Sequence, residues 1–483
     1  MPTTMTKQYT AILKCMLCTL IFAACGMPKK TSTLSLPELP NQYLGKTDSI
    51  NIGQTARTIF FPDKNLQALI DTAIRNNPDL QIALQKMAMA RANRLLANGS
   101  TKPTVDAVLS AGFDKFGDYT MNGVGNYDMN LSPNINKDQQ VPVRMPDLYL
   151  GLKTSWEADV WGKLSEKKKA AYLRYLASEK GRQWAMTQLV AEVAALYYEL
   201  LSLDKEQEII VKNIQLQENE LEIVKAQKEA GRATELAVQQ FNAQLLSTKS
   251  KSFVVKQQIV ETENALKALS GKFELNLKRG STIGDLNLPT TIAAGIPSSL
   301  LLQRPDIQEM ELLLKANGAD LEATRKAFLP SVNINAYMAL NSFNPSYWIN
   351  PASLAYGVLG GLVTPLLSRN QLKANYDLAT AAELEAFQQY RKTLINAYQE
   401  VLTPLNGIAH YKEVYTLKQA ETVSLQKAVT TARELYITGY ASYLEVVSAQ
   451  RGVLDAELES VTNKKITFIH LIHLYRALGG GWQ

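Results

Sequence analysis

Cysteine is confined to one end of this chain: Cys15, Cys18 and Cys25 are its only cysteines. The body beyond them can hold no disulfide, no thiolate nucleophile and no cysteine-ligated metal. Long apolar runs are equally scarce. Past the N-terminus no run reaches the ~18 residues of a membrane-spanning helix. Histidine is rare too. His470 and His473 share a helix face, but no cysteine or second acid–histidine set stands beside them, so packing is the expected role. His410 is isolated and reads as structural. No Ser-His-Asp, Cys-His or paired-carboxylate arrangement is visible, which argues against an enzyme, and no cofactor is called for. Gly357, Gly360 and Gly361 do not form a nucleotide loop and read as a strand bend or close strand approach. Net charge is only +6 over 483 residues, with no aromatic–basic cluster, so nucleic acid is not an expected partner.

What is present begins with a leader. Lys7 and Lys14 precede a short apolar stretch from Cys15 to Ala24, and Phe22-Ala23-Ala24-Cys25 follows the small-residue rule for a cut. Residues 1–24 read as a lipoprotein signal peptide, with Cys25 as the lipidated new N-terminus. The plain alternative is an ordinary signal with an incidental cysteine. Gly26, rather than Asp, resembles outer-membrane sorting. Residues 25–60, rich in Thr, Ser, Pro and Asn, read as a lipid-anchored extended linker.

The body is built twice. Repeat one, 61–270, reads as a short helix broken at Asn77-Pro78, a β-hairpin over 103–160, a long helix over 163–230 and a short helix over 234–269. Leu66, Leu69, Ile70 and Ala73 recur at helical spacing, whereas Val105, Ala107, Leu109, Ala111 and Phe113 alternate at strand spacing. A polar, glycine-bearing loop is expected between the two strands of this hairpin. Residues 271–298 read as an irregular equatorial segment. Repeat two, 299–483, repeats the order: short helix, β-hairpin 330–366, long helix 371–438, short helix 441–478. Arg304-Pro305-Asp306-Ile307 stands 227 positions after Asn77-Pro78-Asp79-Leu80, and Gly439, Ala441, Ser442 and Leu444 stand 208 after Gly231, Ala233, Thr234 and Leu236. Each half therefore has one helical tip, with a glycine to end one helix and a hydroxyl residue to cap the next.

Two geometric expectations follow. The short helices sum to the length of the long ones, roughly 100 Å, which gives an antiparallel bundle of uniform height. The strands suit a tilted membrane crossing, yet there are four, and the smallest spanning barrels have about eight. Copies must then pool their strands, because an open sheet leaves unpaired backbone in lipid. Three copies give a twelve-stranded barrel. The alternative is a lipid-anchored coiled-coil envelope scaffold with no pore.

At this point the residues resemble a known family. Ser155-Trp156-Glu157-Ala158-Asp159-Val160-Trp161-Gly162-Lys163-Leu164, Leu302-Gln303-Arg304-Pro305-Asp306-Ile307, Ala327-Phe328-Leu329-Pro330-Ser331-Val332, Tyr436 to Leu444 with Ala449-Gln450-Arg451, and Ala477-Leu478-Gly479-Gly480-Gly481-Trp482 look like TolC-type outer-membrane efflux proteins. The branch is the OprM-like lipoproteins. The resemblance implies an α+β membrane protein: a homotrimer whose transmembrane β-barrel continues into a long α-helical periplasmic barrel. It implies the exit duct of a tripartite pump, passively conducting substrate, with a periplasmic adaptor, an inner-membrane RND-type transporter and outer-membrane lipid as partners. Adaptor contacts would fall at Gly231, Arg232 and Thr234 on one tip and at Gly439, Tyr440 and Ser442 on the other. The periplasmic constriction would involve Leu444, Glu445 and Ser448. The family often carries Asp where Ser448 stands, which leaves Glu445 as the carboxylate of that ring.

Overall fold

In the computed structural model, residues 28, 35, 40–43, 51–280, 282–286, 295, 297–365 and 369–482 are described. The leader and Cys25 lie outside them. Helix α1 (Lys64–Asn76) starts from Asp63, whose carboxylate accepts the Asn65 N–H at 2.8 Å, and buries Leu66, Leu69, Ile70 and Ala73. Pro78 opens α2 (Pro78–Gly99), where a first-turn proline has no N–H to leave unpaired. Strand β1 (Thr104–Asp114) follows, then helix α3 (Met121–Asn130), then β2 (Met145–Ala158). Helix α3 lies where a loop was expected. Its low-propensity glycines are offset by a cap, the Thr120 hydroxyl accepting the Gly123 N–H at 3.1 Å. The long α4 (Lys163–Glu229) and the shorter α5 (Glu235–Leu269) complete the first half. The second half has α6 (Pro305–Lys326), β3 (Ser331–Ser342), β4 (Leu354–Val363), α7 (Arg369–Thr438) and α8 (Tyr443–Ala477). Helix α8 begins at Tyr443 rather than Ala441, because Ser442 is its extended cap and not its first turn. No helix among the described residues is long and apolar enough to cross a membrane.

The chain divides into two compact units, and neither is a single repeat. One holds Ala90–Tyr175 and Leu313–Phe387, including every strand. Its sheet is antiparallel throughout, in the order β1-β2-β3-β4. Register aligns side chains by face. One face carries Ala107, Leu152, Met338 and Tyr356 in one row and Leu109, Leu150, Leu340 and Leu354 in the next, and no strand residue on it is charged. The opposite face carries Asp106, Lys153, Asn335, Tyr337 and Gly357, and these line a hollow of ≈ 570 Å³. Among the described residues, the outer edges of β1 and β4 have no strand partner.

The other unit is helical and holds Leu176–Leu312, Gln388–Gln483 and the segment Ser35–Met89. Its core gathers Phe61, Ile70, Tyr197, Leu266, Phe468 and Tyr475. Here the duplication is physical. Asn77 Nδ2 donates to the carbonyl of Leu269 at 2.9 Å, and at the matching position Arg304 Nη1 donates to the carbonyl of Ala477 at 3.1 Å. The glycine beyond each helix end sits left-handed, Gly271 at φ +63 and Gly479 at φ +85. A Cβ on Gly271 would stand 2.3 Å from the Asn76 carbonyl oxygen, and one on Gly479 would stand 2.8 Å from that of Gln303. In both halves, then, the end of one short helix abuts the start of the other through the same glycine and the same donor position.

Candidate functional site

The two tips belong to the helical unit. At the first, Gly231 takes φ +72, its N–H reaches the Lys228 carbonyl at 2.9 Å, and Arg232 N–H reaches that of Gln227 at 2.7 Å. At the second, Gly439 takes φ +82, its N–H reaches Tyr436 at 3.2 Å, and Tyr440 N–H reaches Leu435 at 2.8 Å. Both are Schellman stops, which satisfy carbonyls that a helix end leaves open and which need a residue without Cβ strain. Among the described residues neither glycine has a neighbour within 4 Å of an added Cβ, so backbone conformation selects it. The next helix is capped at once. Thr234 Oγ1 accepts the Ala237 N–H at 3.2 Å, and Ser442 Oγ accepts the Leu444 N–H at 3.2 Å.

Acid side chains complete each cap. Glu235 and Glu445 lie in the first turns of α5 and α8, where the helix dipole favours anions. The Ser442 hydroxyl donates to Glu445 Oε2, and this bond holds the carboxyl below the usual range. Glu235 is likewise lowered, first by Gln239 Nε2 at 2.6 Å and then by Lys228, its ion-pair partner across the tip.

The tips are joined by packing that single-sequence reasoning missed. Val446 of α8 is only 1 % exposed and packs with Leu221, Val224, Val238 and Phe241 from the first half. Arg433 Nε meets Glu220 Oε1 at 3.2 Å, linking α7 to α4. Nothing in the repeat signals that pair, because it joins positions that the duplication does not relate. Deeper in α4, Gln217 is 2 % exposed, and neither polar atom of its side chain has a partner among the described residues.

Gly231, Arg232 and Thr234 are exposed on one tip, and Gly439, Tyr440 and Ser442 are on the other, where Tyr440 is 86 % exposed. Leu444, Glu445 and Ser448 form one exposed face of α8, turned away from buried Val446 and Gln450. Helical spacing puts the first, second and fifth of these positions together.

A family described as outer membrane efflux protein matches residues 69–272 and 296–480. The chain belongs to that family. It is an outer-membrane efflux protein and not an enzyme. Similar relatives include the cation efflux system protein CusC of Escherichia coli O6:H1, 28% identical over 425 residues and covering 88% of both chains. The probable outer membrane lipoprotein SilC of Salmonella typhimurium is 27% identical over 423 residues, covering 88% of this chain and 87% of its own. A crystal structure of CusC, described in terms of folding and transmembrane channel formation, aligns with TM-score 0.80 at 25% identity over 94% of this efflux protein and 99% of that chain. The fold is thus the TolC type, with four strands and long helices among the described residues.

Proposed function

We propose that three copies of this chain close a twelve-stranded barrel in the outer membrane, and that the long helices form the periplasmic part of an export duct. The charge-free sheet face carries this reading. A face of Leu, Val, Met and Ala across four strands is suited to lipid, and the polar face opposite is suited to a water-filled lumen. Two unpaired edges per copy are costly in hydrocarbon and are removed only by pairing with further copies. Barrel and tips together make the exit duct of a tripartite pump. An adaptor docks at Gly231, Arg232, Thr234, Gly439, Tyr440 and Ser442, and an RND-type transporter feeds the duct from the inner membrane. Leu444, Glu445 and Ser448 line the constriction. Cys25 carries the lipid, a role that fits the lipoprotein relative.

Purified full-length protein should run as a trimer in detergent and conduct ions in a planar bilayer. A monomer without conductance would return the chain to the class of pore-free scaffolds. Cys25→Ser should abolish incorporation of labelled fatty acid, and retained label would refute the anchor.

A further inference from the structure

The polar face of the sheet is not uniformly charged. Its strand carboxylates are Asp106, Asp114, Asp147 and Glu157, and Lys153 is its sole strand cation. Glu157 is engaged by Lys163 at 2.5 Å, and Asp147 accepts from Asn341 Nδ2 at 2.8 Å. Lys153 makes no ion pair among the described residues. Its ammonium lies 4.6 Å from the centroid of the Tyr149 ring, on the same face. Asp106 is its direct Cα partner on β1, and Tyr337 is its partner on β3. Tyr337 in turn opposes Gly357, where an added Cβ would stand 2.7 Å from ring atom Cε1, so the ring occupies the space above that glycine. One register row therefore crosses all four strands as acid, base, phenol and glycine, at the hollow of ≈ 570 Å³.

We propose that this row is the ion-selecting ring of the pore, with Lys153 restraining the cation preference that the surrounding carboxylates create. This rests on the closed barrel argued above, which sets three copies of the row at one height. Mobile ions passing that height meet fixed charges on the lumen wall, so charge there biases which sign crosses. A ring confined to the helical tips would place the selection at Glu445 instead.

The test is reversal potential in a planar bilayer under a tenfold KCl gradient, using full-length wild type, Lys153→Gln, Asp106→Asn and Glu445→Gln. Wild type should prefer potassium over chloride. Lys153→Gln should raise that permeability ratio on the order of threefold, and Asp106→Asn should lower it by a similar factor. Opposite signs from two exposed neighbours separate a charge effect from a folding defect. Open channels with the same reversal potential in wild type and both strand variants overturn the proposal, as does a shift produced by Glu445→Gln alone. Absence of any wild-type conductance overturns the channel reading and the ring with it.

Discussion

Glu309 on α6 should make the helical unit pH-sensitive in a predictable direction. Its carboxyl is raised to about 7, chiefly because burial strips water from the charged form, with Asp306 adding repulsion and Lys86 opposing both. The burial has a visible cause. Gly181 of α4 lies against the carboxyl, and a Cβ there would stand 2.7 Å from Oε1. Glutamate in the unfolded chain titrates near 4.5. Below that pH both states are protonated and Glu309 costs nothing. Between about 4.5 and about 7 the unfolded chain ionises while the folded carboxyl keeps its proton, so stability falls across that window and levels off above it, where the folded state holds a partly desolvated carboxylate. At about 1.4 kcal/mol per pKa unit, the loss is on the order of 3 kcal/mol per protomer above neutrality. Glu309→Gln stays neutral at every pH and avoids it. Thermal unfolding of both proteins in one detergent, from about pH 4 to about pH 9, is the assay. The curves should run together at low pH and diverge above it, with the variant the more stable. Any constant cost of the amide cancels in the difference between pH values. Parallel curves across the whole range would refute the reasoning.

Other predictions follow from the junction and the tips. Arg304 is 1 % exposed, is held by Asp306 at 2.7 Å and Glu400 at 2.9 Å, and lies over the Trp184 ring; Arg304→Ala strands a buried carboxylate and should cost about 3–5 kcal/mol in unfolding free energy, a denaturant midpoint being the measure. Gln217→Leu removes a buried amide that has no partner among the described residues and should raise the melting temperature, gaining about 1–3 kcal/mol, with an unchanged or lower value counting against the burial argument. Gly439→Pro cannot adopt φ +82 and should abolish export in a drug- or metal-sensitivity assay while leaving trimers on a native gel; full export would sink the assigned tip role.

Periodicity made the helices and strands legible, because a chain with few prolines and clean spacing offers few competing patterns. The tips were legible for a different reason: a lone glycine followed by a hydroxyl residue is a local rule, and the observed Schellman stops and caps obey it. Helix Met121–Asn130 was hidden, since Gly123 and Gly125 argue for a loop and only the cap from Thr120 argues otherwise. Arg304 stood out as a repeated motif. That it is buried, and paired with Glu400 from a different helix, depends on tertiary packing that no local pattern encodes. Glu445 shows the same boundary: its place in the first turn could be read from sequence, but the grip of Ser442 on its carboxylate could not.

The two bare edges of the sheet have a consequence for heredity as well as for chemistry. In the proposed trimer no single chain owns the membrane-spanning wall. The wall appears only at the third encounter, and its rate of appearance should fall steeply as copy number falls. A cell making sound and edge-damaged chains in equal amounts would complete only roughly one sound assembly in eight. An allele with a proline in β1 or β4 should therefore act dominantly, silencing far more ducts than its share of the messages.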